Sequence, residues 1–294
     1  MYDYIAPQTV PEAAAALSDT VLTARPLAGG TDLLVQMRHG TNRADVLVDL
    51  KRIPELTVGP HEANDGLRFG AAVACSDLAA DRIIGDRYHA LADATALIGG
   101  TAIRNRATVG GNLCNAAPSA DTAPALIVLG ASCLVSGPEG ERWIAAEEFV
   151  TGPGRCALRH GELMTAISIP APGPKSGSAY LRFIPRGEMD IAVAGAAASA
   201  TLSDDRSTIV AARVALAAVA PVPLVVPAAA AILVGSPPTT DVLATACARA
   251  MEAAAPIDDV RGSAAFRRHI VGVLTRRALE TALGRAREEV RTDG

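Results

Sequence analysis

Ile103-Arg-Asn-Arg-Ala-Thr-Val-Gly-Gly-Asn-Leu-Cys-Asn-Ala-Ala-Pro-Ser-Ala-Asp121 is the stretch on which the reading of this chain turns. From Thr101 to Asp121 there is no apolar periodicity, glycine and asparagine breakers recur, and long side chains almost vanish after Arg106. Such a segment predicts an irregular loop. Adjacent glycines at 110 and 111 remove the Cβ atoms that would hold a ligand away from main-chain N–H groups. Thr108, Asn112 and Asn115 are short hydrogen-bonding side chains, suited to phosphate, to polyol hydroxyls or to the edge of a heterocycle. Taken singly, each could equally serve the loop backbone.

A second segment of the same kind lies upstream, Leu27-Ala-Gly-Gly-Thr-Asp-Leu-Leu34. It falls between an expected strand at Ala24–Leu27 and a helical turn running to Met37. Successive N–H groups in such a turn form an anion nest, and a following helix adds a favourable dipole. One Gly-Gly pair alone reads most simply as a tight turn. Two such pairs, each beside Thr31 or Thr108 and Asn112, point to a phosphate or pyrophosphate ligand. Neither is followed by the lysine that a Walker A loop requires. Gly152-Pro-Gly154-Arg-Cys-Ala157 fits a loose GxGxxA pattern, but proline fills its first gap and no helix or acidic partner follows, so it reads as a loop. No GxSxG or HExxH motif occurs, and the five histidines have no ligand-like spacing.

Composition bounds the rest. A chain of 294 residues suggests more than one domain, and a globule of this size buries roughly 73% of its unfolded surface. Half of the residues are hydrophobic and 20% charged, which excludes a disordered chain. Aromatics are only 3%, whereas alanine makes up about a fifth. That core leaves room for a large flat group supplied from outside. The net charge of −4, with only two lysines (Lys51 and Lys175), argues against a nucleic-acid partner. No 18-residue apolar run free of charge and proline marks a membrane span. The start, Met1 to Val10, lacks the pattern of a signal peptide. Cys75, Cys114, Cys133, Cys156 and Cys247 are scattered without metal-site spacing, which suits reduced thiols in the cytoplasm.

Local signals outline the elements. Thr9, Pro11 and Glu12 read as a capping box opening a helix that ends near Asp19. Asp45–Leu50 reads as a buried strand. Leu56–Val58 with Leu67–Val73 reads as a hairpin turning at Asp65-Gly66. Ser76-Asp77 is expected to cap a helix from Leu78, and helices are expected over Tyr88–Ile98 and Ala123–Leu129. Ser132–Ser136 with Glu141–Ala145 forms another expected hairpin. Glu162–Pro170 reads as a strand with Leu163, Thr165, Ile167 and Ile169 on one face. The clearest linker is Pro170-Ala-Pro-Gly-Pro-Lys-Ser-Gly177. Beyond it, three extended stretches (Tyr180–Ile184, Ile191–Leu202, Ile209–Val219) precede helices at about Thr240–Ala254 and Gly262–Val290. Strands followed by helices are an α+β signature.

With both glycine segments in view, the chain resembles the FAD-binding medium subunit of the molybdenum hydroxylases, the xanthine dehydrogenase and aerobic carbon monoxide dehydrogenase family. The likeness runs nearly end to end and includes Tyr180-Leu-Arg-Phe-Ile-Pro-Arg-Gly-Glu-Met-Asp-Ile-Ala-Val193. It implies an α+β fold: a two-part FAD-binding domain of the vanillyl-alcohol-oxidase-like (PCMH) type, then a smaller C-terminal domain with a three-stranded antiparallel sheet and helices. The expected divisions are 1–55, 56–174 and 178–290.

The resemblance also implies a site. Leu27, Ala28, Gly29, Gly30, Thr31, Asp32 and Leu33 form the first cofactor segment, with backbone N–H groups from Ala28 onward on the FAD pyrophosphate. Thr108, Gly110, Gly111, Asn112 and Asn115 lie by the flavin and ribityl chain, and Asp121 contacts the cofactor from the end of that segment. Ile98 and Leu163 line the pocket. Arg182 stands near the polar edge of the ring, where a cation favours reduced anionic flavin; its bland alternative is a strand-surface arginine.

Molybdopterin and [2Fe-2S] clusters are expected only on partners, a large molybdopterin subunit and a small iron–sulfur subunit, in a dimer of heterotrimers. The cysteine-bearing insertion of the 4-hydroxybenzoyl-CoA-reducing relatives is missing. The chain is thus expected to pass electrons and to need no catalytic residue of its own. A stand-alone FAD-dependent oxidoreductase and a non-enzymatic module for a phosphate ligand remain as alternatives.

Overall fold

In the computed structural model, which describes residues 2–63 and 65–288, the chain opens on a small parallel sheet. β1 (Asp3–Ile5) and β2 (Ala24–Leu27) both pair in parallel with a central β3 (Val46–Asp49), whose four residues are all buried. α1 (Val10–Leu17) and α2 (Leu33–Arg38) make the crossovers. Thr9 caps α1 by accepting from the Glu12 N–H at 3.3 Å. The Glu12 carboxylate accepts from Gln8 N–H, not from Thr9, so the expected capping box closes one residue early. Ala13, Ala14 and Leu17 carry the buried face of α1.

After a 3-10 turn at Leu50–Arg52 and α3 (Pro54–Thr57), a five-stranded antiparallel sheet begins. Its order is β4 (His61–Ala63), β5 (Gly66–Gly70), β10 (Leu163–Pro170), β6 (Ser132–Gly137), β7 (Gly140–Ala145). The turn at Asp65-Gly66 is where it was expected, but the first strand of that hairpin is His61–Ala63, not Leu56–Val58. Leu56 and Val58 instead offer carbonyls to Ala72 and Gly70 N–H from the end of α3, because Pro54 presets the first helical turn. The 132–145 hairpin forms as read. In β10 a register shift between Met164 and Ala166 breaks the simple alternation. Met164, Ile167 and Ile169 therefore share one core, while Leu163 joins the core beneath α1.

Helices cover this sheet. α4 (Cys75–Ala80) starts earlier than Ser76-Asp77 implied, with Ala74 at the cap position. α5 (Arg82–Arg87), capped by Asp81, leads into α6 (His89–Leu97). α7 (Thr101–Arg104) and α8 (Val109–Asn115) occupy the segment expected to be irregular, and α9 (Thr122–Val128) is wholly buried. α10 (Ala146–Phe149) and a two-stranded ribbon of β8 (Val150–Gly152) and β9 (Arg155–Cys156) return the chain to β10.

The C-terminal part is a four-stranded antiparallel sheet of β11 (Ser176–Phe183), β12 (Ala194–Leu202), β13 (Ile209–Ala217) and a two-residue β14 (Leu224–Val225). Three long strands are as expected; β14 is an addition. α11 (Pro227–Leu233), α12 (Thr240–Ala253) and α13 (Ala264–Arg287) follow. The expected end of the last helix at Val290 lies outside the described residues. Strand alternation divides β12 between two cores. Ala194, Ala196, Ala198 and Ala200 pack toward α11–α13, and Ala197 toward the core under α6 and α9. Gly195 leaves room for Tyr180, whose hydroxyl would stand 2.7 Å from an added Cβ.

α13 crosses β11 at backbone contact: a Cβ on Gly177 would lie 2.1 Å from the Ala282 carbonyl oxygen. One turn on, Arg285 donates twice to Asp93 of α6, at 2.7 and 3.0 Å, and once to the Ser178 carbonyl. The Ser178 hydroxyl in turn accepts from Ala90 N–H, and Asp93 from Tyr180 N–H. Gly177→Ala should therefore force α13 off the sheet and cost about 1–3 kcal/mol, read as a lower urea midpoint; an unchanged midpoint would contradict this packing.

Candidate functional site

β2 ends at Leu27, and the backbone then turns away from the sheet. Lys51 holds it there, donating to the Ala28 carbonyl at 3.1 Å while paired with Asp49, which also accepts from the Tyr4 hydroxyl. Against the burial that opposes ionisation, these hydrogen bonds keep the Asp49 carboxyl below its usual range. Gly29 presses on the chain after α7: an added Cβ would sit 2.0 Å from the Arg106 carbonyl oxygen. Gly30 has φ +75°, the left-handed region. Leu34 and Gln36 N–H bond back to Gly30 and Asp32, but the N–H groups of Gly29, Gly30, Thr31, Asp32 and Leu33 make no hydrogen bond to another described residue. Five consecutive donors in the loop are thus left without a protein partner, as in an anion nest. Burial pushes the Asp32 carboxyl up from its ordinary value.

The second glycine segment is helical, which corrects the expectation of an irregular loop. Thr108 caps α8 by accepting from Gly111 N–H at 2.9 Å. Two glycines in one seven-residue helix masked it, although a threonine three residues before Gly111 was a legible cap. Gly110 is required by a neighbour, since its Cβ would lie 2.5 Å from the Ala71 carbonyl oxygen. α8 stops at Ala116, which has φ +50°.

Between the two segments lies a cleft of about 500 Å³. Ala28, Gly29, Gly30, Thr31, Asp32 and Leu33 form one wall, and Thr108, Gly110, Gly111, Asn112 and Asn115 the other, with Ile98 and Leu163 as apolar lining. Gln36, Asn42, Ile103, Cys114, Leu158 and Met164 also line it and were missed. Gln36 lies one helical turn beyond Leu33, a spacing that could have revealed it. Nothing in the sequence marked Asn42. The Asn112 carbonyl accepts from the buried Thr122 hydroxyl at 2.6 Å, which fixes the amide with its NH2 group free.

Leu27, Asp121 and Arg182 are not on the cleft wall. Leu27 ends its strand beneath the loop, its side chain against Gly30. Asp121 is buried, accepting from the Tyr180 hydroxyl at 2.6 Å and from Arg182, which also donates to the Leu97 carbonyl at 2.7 Å. Burial pushes the Asp121 carboxyl up, opposed by the Arg182 charge. These two residues form a buried ion pair that joins the start of α9 to β11. Arg182 is not a strand-surface residue either, its side chain being only 6% exposed.

Beside the cleft, the Cys114 thiol donates to Cys156. That hydrogen bond, with one from the Leu158 backbone, holds the Cys156 thiol down at about 6, while Cys114 is pushed up. Burial pushes Cys75 and Cys133 up to about 12. Iodoacetamide should therefore alkylate Cys156 first, with a rate that levels off at a lower pH than for an ordinary thiol. Labelling that rises only above pH 8, or that spreads evenly over the cysteines, would contradict it.

Comparison with known proteins matches this arrangement. The family described as the FAD binding domain in molybdopterin dehydrogenase covers residues 1–172, and the CO dehydrogenase flavoprotein C-terminal domain covers 179–282. The xanthine dehydrogenase FAD-binding subunit of Escherichia coli O157:H7 is 35% identical over 90% of both chains. The carbon monoxide dehydrogenase medium chain of Afipia carboxidovorans is 35% identical over 97% of this chain and 98% of its own. Among solved structures, the carbon monoxide dehydrogenase of Hydrogenophaga pseudoflava superposes with a TM-score of 0.91 at 34% identity, covering 97% of this chain and 98% of that one. Geometry, sequence and fold agree that the chain belongs to the family of FAD-binding medium subunits of the molybdenum hydroxylases.

Proposed function

We propose that the cleft holds FAD and that the chain serves as the electron-transfer subunit of a molybdenum-containing hydroxylase or dehydrogenase. The observation that carries this reading is the row of unpaired N–H groups from Gly29 to Leu33 facing Thr108–Asn112 across one cleft. The residues fit the cofactor. About 500 Å³ lies within the usual range for cofactor pockets, the donors suit a pyrophosphate, and Ile98, Leu163 and Met164 supply apolar surface for a ring. FAD supplies the exchange between single electrons and hydride.

The chain's own part is to bind, orient and exclude water. Gly29 to Leu33 take the negative charge on backbone N–H groups. Thr108 keeps α8 wound so that Gly111 leaves the wall open, and Thr122 aims the Asn112 amide into the cleft. Asp121 and Arg182 buttress α9 from behind. Divisions near 55 and within 174–178 separate two parts that share the flavin from a C-terminal part that closes over them. The partners are a small iron–sulfur subunit, which delivers electrons, and a large molybdopterin subunit, which oxidises the organic substrate, in a dimer of heterotrimers in the cytoplasm. None of the described helices is long and apolar enough to cross a membrane.

Purified protein should carry or take up FAD, not FMN. In Gly111→Val the added side chain meets the Thr108 hydroxyl, 2.8 Å from the Cβ position, and projects from the wall. This variant should fold yet retain no flavin. Stoichiometric FAD in folded Gly111→Val protein would refute the placement.

A further inference from the structure

Three amides on the cleft wall form a directed chain. Gln36 Nε2 donates to Asn115 Oδ1 at 2.8 Å, and Asn42 Nδ2 donates to Gln36 Oε1 at 3.2 Å. The chain stops at Asn42 Oδ1, which is buried and has no partner. All three residues line the cleft. The backbone repeats the clamp, since the Gln36 carbonyl accepts from Thr41 N–H at 3.0 Å and Asn42 N–H at 3.4 Å. Asn42 is therefore tied to α2 through both main chain and side chain.

The polarity of the end atom is coupled to that of its neighbours. Turning the Asn42 amide alone would set two oxygens against each other, and turning Gln36 alone would break both links. With the chain in this sense, the last oxygen is an acceptor in need of a donor. A buried polar atom left unpaired costs about 1–3 kcal/mol, and native structures tolerate few of them. Here the unpaired atom belongs to a residue on the wall of a ligand cleft.

Resting on the reading of the cleft as the FAD site, we propose that Asn42 Oδ1, held by Gln36 and Asn115, accepts a hydrogen bond from a hydroxyl or N–H of the cofactor. The pyrophosphate and the methylated edge of the flavin have no hydrogen to give at neutral pH. The donor is then on the flavin–ribityl half or on the adenosine half. Asn42 is a binding residue for one half of the cofactor and Gln36 a positioning residue behind it, apart from the glycine segments that hold the phosphates.

The test is FAD affinity in the flavin-free full chain, read by fluorescence quenching. Asn42→Ala should raise the Kd about tenfold, the value of one buried hydrogen bond. Gln36→Met, which keeps the volume but unhooks Asn42, should do the same, and the double variant should lose no more than either alone because both act through one oxygen. ADP as a competitor locates the donor. Weaker ADP inhibition in Asn42→Ala puts it on the adenosine half, and inhibition unchanged from wild type puts it on the flavin half. An unchanged FAD Kd in both single variants overturns the proposal and makes the amide chain a structural strut. Wild-type protein that binds no FAD overturns the reading of the cleft, and this proposal with it.

Discussion

The site depends on a steric constraint at Gly29. The backbone there meets the Arg106 carbonyl so closely that a methyl group would fall 2.0 Å from its oxygen. A second contact of the same kind, Gly110 against the Ala71 carbonyl, draws α8 onto the end of β5. Segments more than seventy residues apart in sequence are thereby brought to one cleft. The glycines act less by flexibility than by absence, since no other residue permits such an approach. The donors at 29–33 are left unpaired because the chain is held by van der Waals contact and by Lys51 on its far side, not by hydrogen bonds of its own N–H groups.

The alanine excess has its explanation in the C-terminal sheet. β12 is covered on both faces, and alanine at five of its nine positions lets α13 lie close on one side and α9 on the other. Each alanine buries little area, so stability comes from many short contacts at close range. The few core aromatics, Phe69, Tyr88, Phe149 and Tyr180, belong to the larger core shared by the middle and C-terminal parts. Tyr180 fits there because Gly195 faces it, and its hydroxyl satisfies Asp121.

Much of this was legible in the sequence wherever a local chemical signal existed. The cap at Thr9, the turn at Asp65-Gly66 and the 132–145 hairpin form where turn and cap residues predict them. Both glycine segments line one cleft. What escaped had competing causes. Gly110 and Gly111 lower helix propensity, yet α8 forms because Thr108 caps it and Leu113 is buried. α5 and α7 are too short to show a period. The bulge in β10 shifts its faces without any proline or glycine to announce it. The pairing of Asp121 with Arg182 across two parts of the chain had no local signal either, since the residues lie sixty-one positions apart. Asn42 and Gln36 are polar residues in an ordinary helix-and-turn sequence, and only the fold turns them toward a ligand.

The Arg285–Asp93 pair has a consequence for how the polypeptide comes into being. Asp93 sits on α6, in the first third of the chain, and its ion-pair partner among the described residues is Arg285, near the end of α13. The same face of α6 waits for Ser178 and Tyr180 of β11. During synthesis from the N-terminus, the flavin-binding part emerges first but keeps an uncompensated carboxylate and an uncovered helix face until almost all of the chain has left the ribosome. A message interrupted late therefore yields a product with every cleft residue present and its supporting helix unsealed. Sealing of α6 thus waits on the synthesis of α13.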